Sequence, residues 1–337
     1  MKLRGVLTAM LAATVLTGAV ACTGSNVAST ANSGGAVTAQ LADLDPVALD
    51  PAPTPRLPVT VTSYDGTDVT VTDVSRIIAV DRYGTLAQTV WALGLGDNLV
   101  GRSTSASFPA VADVPNVAGG NGSLSIEAVL NLRPSVFLTD TTSAAPAVRE
   151  QLRAAGVTVV YFDPDRRMDG VVPQIEAVAT ALGVPEAGRQ LGARTAAEIA
   201  EATAAVPPQE RQPKIAFLYL RSAAITMMAG RGSGADSLIT ALGGVDAGTA
   251  AGVNEPFVAI TSEAMIAAAP DVLLVMSDGL KSVGGVEGLE KVPGIAQTPA
   301  GRNQRVVDMS DAVILSFGPN TGRVISALSD ALYGAPA

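Results

Sequence analysis

No histidine occurs anywhere in this chain, and cysteine occurs once, at position 22. The first absence removes the commonest metal ligand and the commonest general base near neutral pH, so capture of zinc or manganese would fall to carboxylates alone. The second excludes an internal disulfide and leaves the fold to packing. Basic residues are also short, 22 against 31 acidic ones for a net charge of −9, which argues against nucleic acid as a partner. Apolar residues are not short: at 48% of 337 positions they suffice for two domains, each with its own core.

The long apolar run is confined to the start. Lys2 and Arg4 precede an apolar stretch over residues 6–20, then Ala19-Val20-Ala21-Cys22. The stretch is too short for a span of about 20 residues. It reads as an export signal over residues 1–21 with Cys22 as a lipidated first residue, in the manner of a bacterial lipoprotein. Cleavage there would remove Lys2, Arg4 and no acid, taking the 22 basic residues to 20 against 31 acidic ones, net −11. Residues 22–60 are rich in Ala, Ser, Thr, Gly and Pro and read as a disordered tether to the lipid anchor.

Beyond that, the sequence is built twice. Glu127-Ala128, Pro134, Val136 and Leu138 recur as Glu263-Ala264, Pro270, Val272 and Leu274, 136 positions on. Ala92-Leu93-Gly94 with Asp97 recurs as Ala241-Leu242-Gly243 with Asp246. A duplicated chain of this kind forms two similar lobes, and the cleft between them is the default place for a ligand. Residues 69–73 and 76–80 read as a hairpin strand leading into a short buried strand, and a helical pattern from 85 to 93 ends at Gly94. Segments 99–101, 136–138 and 158–162 read as further strands, 125–132 and 145–155 as helices. The second copy repeats the order with strands 215–220 and 272–276 and helices 233–242 and 261–268. Both lobes are therefore expected to be α/β, with open, helix-covered sheets. Between them, residues 185–207 hold strong helix formers with a proline near each end, predicting one long helix of about 30 Å that joins an amino-terminal lobe, 61–184, to a carboxy-terminal lobe, 208–337.

Two stretches carry a family resemblance. Val80-Asp81-Arg82-Tyr83-Gly84-Thr85-Leu86 runs into Trp91-Ala92-Leu93-Gly94-Leu95-Gly96-Asp97, and Phe217-Leu218-Tyr219-Leu220-Arg221 runs into Gly230-Arg231-Gly232-Ser233-Gly234-Ala235-Asp236. Over roughly residues 70–334 the chain resembles the substrate-binding lipoproteins of bacterial ABC importers for haem, within the larger group that binds siderophores and cobalamin. The resemblance implies two α/β lobes joined by one long helix, with haem b held as cargo rather than as a catalytic cofactor. It implies that Tyr219 ligates the iron and that Arg221 hydrogen-bonds this tyrosine. The partners it implies are an ABC permease with its ATPase, a haem donor protein, and the membrane through the lipid anchor alone.

The residues support that chemistry independently. On a strand, positions i and i+2 face the same way, so Tyr219 and Arg221 can meet. A guanidinium beside a phenol favours the phenolate, a hard oxygen ligand suited to ferric haem. Glycines at 230, 232 and 234 suggest an exposed loop with room for a flat macrocycle. Members of the family that use a first-lobe histidine as second ligand have no counterpart in this chain. The iron is then five-coordinate on Tyr219, the reading favoured, or takes a sixth donor from Tyr83, Met227, Met228 or Met168. Arg82 and Arg231 are candidates to pair with haem propionates; each reads equally well as a solvated arginine. Glu127 and Glu263, matched in the two copies, serve helix starts electrostatically or, as the resemblance implies, dock one per lobe onto permease arginines.

Other classes fit less well. A nucleophile elbow, G-x-S-x-G, needs glycine where Arg231 stands, and the chain lacks the usual histidine base, so no enzymatic activity is expected. A siderophore or cobalamin carrier remains the alternative, with the same scaffold and different cleft chemistry.

Overall fold

The computed structural model describes residues 36–118, 123–222 and 224–334. The export signal over 1–21 and Cys22 lie outside the described residues. Among the described residues, no helix is long and apolar enough to cross a membrane.

The described residues form thirteen strands in order: β1 (Ala36–Ala39), β2 (Val59–Thr62), β3 (Asp68–Val71), β4 (Ile77–Val80), β5 (Leu99–Arg102), β6 (Val136–Asp140), β7 (Thr158–Phe162), β8 (Lys214–Arg221), β9 (Ile225–Ala229), β10 (Val245–Asp246), β11 (Phe257–Ala259), β12 (Val272–Met276) and β13 (Val306–Met309). The first lobe is a parallel sheet in the order β5-β4-β6-β7, with Ile77 in register with Val136 and Val136 with Thr158. Its inner strands, β4 and β6, are buried throughout, as parallel strands covered on both faces must be. The hairpin β2–β3 stands apart as a two-stranded sheet. The second lobe runs β1-β13-β12-β8-β9-β11, parallel from β1 to β8 and antiparallel at β9 and β11, with β10 pairing the start of β8.

Between the sheets lies the helix Pro185–Ala204, with proline in its first turn and Glu186 beside it, where an acid suits the helix dipole. Its Leu191 belongs to an apolar core that also takes in Ile77 and Ala79 of β4, Ile215 and Phe217 of β8, and Ile325 and Leu328 of the last helix, Thr321–Tyr333. One core therefore runs through both lobes, and two smaller cores close the outer faces of the sheets.

The duplication persists in backbone detail. Helices Ile126–Asn131 and Ser262–Ala268 are capped by Ser125 and Thr261, whose side chains accept from Ala128 N–H and Ala264 N–H. Each helix is followed by a residue in the left-handed region, Arg133 (φ 47°) and Ala269 (φ 43°), directly before the proline that introduces β6 or β12.

The expected tether over 22–60 is overturned for the residues described. β1 lies on the edge of the second sheet, with Ala36 opposite Val306 and both ends of the strand buried. The chain then crosses to the first lobe as a strap, its backbone bonding Leu49 N–H to Ala92 C=O at 2.8 Å and Arg56 N–H to Gly183 C=O at 2.8 Å. Arg323 and Asn320 of the second lobe hold it at Asp45 C=O and Leu44 C=O. Small residues that look unstructured by composition here allow close approach to the sheet edge and to the helices, and buried Leu49 anchors the crossing.

Candidate functional site

The carboxyl ends of β4, β6 and β7 in one lobe and of β8, β12 and β13 in the other converge, which is where open α/β sheets present ligands. In the first lobe the residue after β4 is Asp81. Its carboxylate accepts the N–H groups of Tyr83 (3.2 Å), Thr85 (3.0 Å) and Leu86 (3.1 Å), satisfying donors left open at the start of helix Thr85–Val90. Arg166 binds the same carboxylate at 3.0 Å and lies 3.7 Å from Asp140 at the end of β6. All three side chains are buried. Arg166 also lies over the Tyr83 ring, 5.7 Å from its centroid. Burial pushes the Tyr83 hydroxyl above its usual pKa, with the Arg82 and Arg166 guanidinium groups pulling it partly back. At neutral pH Tyr83 is thus a neutral hydrogen-bonding phenol.

In the second lobe, alternation along β8 sends Leu218 and Leu220 to the outer core and Phe217 and Tyr219 toward the shared core. Tyr219 is half-buried and meets Phe257 of β11 edge-on, centroids 6.2 Å apart. No hydrogen bond reaches its hydroxyl among the described residues. The Arg221 guanidinium stacks on the ring at 4.6 Å from the centroid, while its Nη1 donates to Leu220 C=O (2.8 Å) and its Nη2 to Asp311 Oδ2 (3.0 Å). The expected hydrogen bond from Arg221 to the tyrosine is therefore replaced by a face-on cation–π contact and an ion pair.

Of the further donors, Met227 stands opposite Tyr219 in the β8–β9 pairing and is half-buried, whereas Met228 faces the outer core and is removed from the cleft by strand alternation. Met168 packs, partly buried, against the same core as Tyr83 and Tyr219. Strand β9 comes between Arg221 and the glycines at 230, 232 and 234. There Gly234 has φ 84°, and a β-carbon on it would sit 2.9 Å from Arg166 C=O and from the Phe317 ring, so this loop abuts the first lobe. Arg82 and Arg231 are exposed, and among the described residues neither shows a hydrogen bond or ion pair to Tyr219 or Arg221. Glu127 and Glu263 are also exposed, each the second residue of its helix.

The lobes are fastened together beside this site. Gln88 Nε2 donates to Ala312 C=O at 2.8 Å, and the Thr85 hydroxyl donates to Ser316 C=O. Pockets of about 490 Å³, lined by Tyr64, Tyr161 and Phe162 among others, and about 290 Å³, lined by Arg211, Asp271 and Arg305 among others, open elsewhere and include none of the residues above. No group of three or more His, Cys, Asp or Glu side chains able to hold a metal ion occurs among the described residues.

The model of the periplasmic binding protein family matches residues 82–313. The chain belongs to that family. Its structure is similar to that of the heme binding protein HmuT, with 39% identity, a TM-score of 0.86, and coverage of 90% of this chain and 98% of HmuT. HmuT has also been solved with alanine in place of a histidine, of a tyrosine, and of an arginine two positions after that tyrosine. Among curated proteins, the uncharacterized ABC transporter substrate-binding lipoprotein YvrC of Bacillus subtilis is 25% identical over 281 residues, 82% of this chain and 86% of YvrC. A cobalamin-binding protein of Halobacterium salinarum is 26% identical over 220 residues, 64% of this chain and 58% of that protein.

Asp140, Arg166 and Asp311 were missed as site residues by sequence reasoning. Asp140 had a signal, an acid closing an apolar strand at its carboxyl end; Arg166 lies in an irregular loop and Asp311 in a turn, with no pattern to mark either.

Proposed function

We propose that this periplasmic binding protein captures ferric haem b at the joined strand ends and delivers it to an ABC permease and its ATPase. The observation that carries the reading is the Tyr219–Arg221 pair: a half-buried phenol with no hydrogen bond to its hydroxyl among the described residues, and a guanidinium on its ring. The tyrosine-x-arginine spacing is the one altered in the HmuT variants. As a phenolate ligand, Tyr219 offers ferric iron a hard anionic oxygen. In a chain without histidine the iron is five-coordinate on Tyr219, and Tyr83 serves as a neutral hydrogen-bond donor at the opposite wall. Arg82 and Arg231, exposed and unpaired with the tyrosine site, are assigned to the propionates. Cys22 carries the lipid that keeps the protein at the extracytoplasmic face of the membrane, as the name of YvrC suggests for that relative. Glu127 and Glu263, one on each lobe at equivalent helix positions, dock the permease. A haem donor protein supplies the cargo.

The test is titration of the purified protein with hemin. Binding with a shifted Soret band and a phenolate-to-iron charge-transfer band is expected, and Tyr219→Ala should remove the latter. An unchanged spectrum in that variant would remove the ligand assignment. The similarity to a cobalamin-binding protein favours one second reading, a corrinoid carrier; tight cobalamin binding with no response to hemin would establish it instead.

A further inference from the structure

Arg221 is a long, half-exposed side chain with many rotamers open to it, yet it lies flat on the Tyr219 ring. What holds it is visible one turn away. Asp311 Oδ2 takes Arg221 Nη2 at 3.0 Å, and Asp311 Oδ1 is itself fixed by Asp278 N–H at 2.9 Å. Gly279 packs beside this pair: a β-carbon there would press within 3.1 Å of Leu220 C=O and meet Arg221 Nη1 at a contact distance of 3.5 Å. The turn that carries Asp311 is in turn pinned to the first lobe, since its next residue, Ala312, accepts from Gln88.

We infer that Asp311 is a positioning residue for the ligand site: it selects the Arg221 rotamer that covers Tyr219, and so sets the electrostatics of the ligating oxygen without touching the cargo. This rests on the haem reading given above. A charge-assisted hydrogen bond of this kind is among the stronger ones available to a partly exposed pair. Its removal leaves Arg221 free to turn toward water, and the phenolate loses its fixed cation.

The experiment compares Asp311→Ala, Asp311→Asn, Arg221→Ala and the double variant Asp311→Ala/Arg221→Ala by hemin spectra, resonance Raman of the iron–phenolate stretch, and transfer of hemin to a scavenger protein. Asp311→Ala should keep iron on Tyr219 but move the stretch and speed hemin loss about tenfold. Asp311→Asn, which keeps an acceptor oxygen and tests the same point should the alanine variant not fold, should fall between it and the parent. In the double variant the Asp311 change should add nothing to that of Arg221, because both remove one unit. Parent-like stretch and off-rate in Asp311→Ala, or additive effects in the double variant, overturn the inference while the Tyr219 assignment stands. A parent protein that gives no phenolate band overturns the haem reading and this inference together.

Discussion

Arg166 Nη2 lies 3.0 Å from Asp81 Oδ2 with both side chains withdrawn from solvent, and the second carboxylate in reach, Asp140, is withdrawn as well. The arrangement joins the ends of three first-lobe segments and sets the ring of Tyr83. Two buried acids around one buried base are tolerable only while the base is present, because an unpaired interior charge loses its hydration without compensation. Arg166→Ala should therefore lower unfolding stability by about 3–5 kcal/mol, read as a fall in the urea midpoint at constant slope. A midpoint within error of the parent would mean that water replaces the guanidinium freely.

Asp246 gives a pH-dependent prediction. Its side chain caps helix Ala247–Ala250 by accepting Thr249 N–H at 2.8 Å, but it is buried and its other oxygen has no hydrogen-bond partner among the described residues. Burial pushes its carboxyl above the usual value of 3.8, with the Thr249 hydrogen bonds drawing it partly back. With the folded value raised, the folded state binds the proton more readily than the unfolded one. Stability therefore falls as pH rises through the window between 3.8 and the folded value, and stays lowered above it. Asp246→Asn keeps a good cap without the charge. It should melt higher than the parent at pH 7, with the gap shrinking as the pH falls through that window. A gap of the same size at pH 7 and in acid would refute the burial argument.

Glu127 and Glu263 separate docking from binding. Each is exposed in the first turn of its helix, so replacing either with Ala should cost no more than about 0.3–1 kcal/mol of stability through the helix dipole. The double variant should bind hemin as the parent does and fail to stimulate ATP hydrolysis by its reconstituted transporter. Loss of hemin affinity in that variant would instead place the glutamates in the cargo site.

Much of this molecule is legible in its sequence because duplication and periodicity are local signals. Pro134 and Pro270 mark the entries to β6 and β12, and the apolar runs that follow become the buried inner strands. Tyr219 and Arg221 were singled out by the family resemblance of their tyrosine-x-arginine segment, and a strand's two-residue period agrees by putting both on one face. The failures share a different cause, dependence on distant partners. Residues 36–58 have the composition of a linker, and nothing within them announces that Ala36 will pair with Val306, 270 positions away. Arg166 finds Asp81 across 85 positions and Asp311 finds Arg221 across 90. Such pairings are decided by the topology of the sheets, which sets the ends of β4 and β7, or of β8 and β13, close together.

The same division lets one substitution separate the fold from the function. Tyr219 contributes to the core through its ring, which meets Phe257 at 6.2 Å and carries Arg221 on its face. Its oxygen forms no hydrogen bond among the described residues. Tyr219→Phe retains the ring and both contacts, and its stability should stay within about 0.5 kcal/mol of the parent. Tyr219→Ala removes the ring as well and should destabilise clearly, by about 1–3 kcal/mol at this half-buried position. For hemin the ranking differs, because the ligating oxygen is missing from both: each variant should lose the phenolate charge-transfer band completely. Unfolding midpoints and hemin spectra measured on the same two preparations decide the matter. A phenylalanine variant that keeps the band would show the iron bound through another phenolate, with Tyr83, on the first-lobe wall beside Arg166, the first to examine.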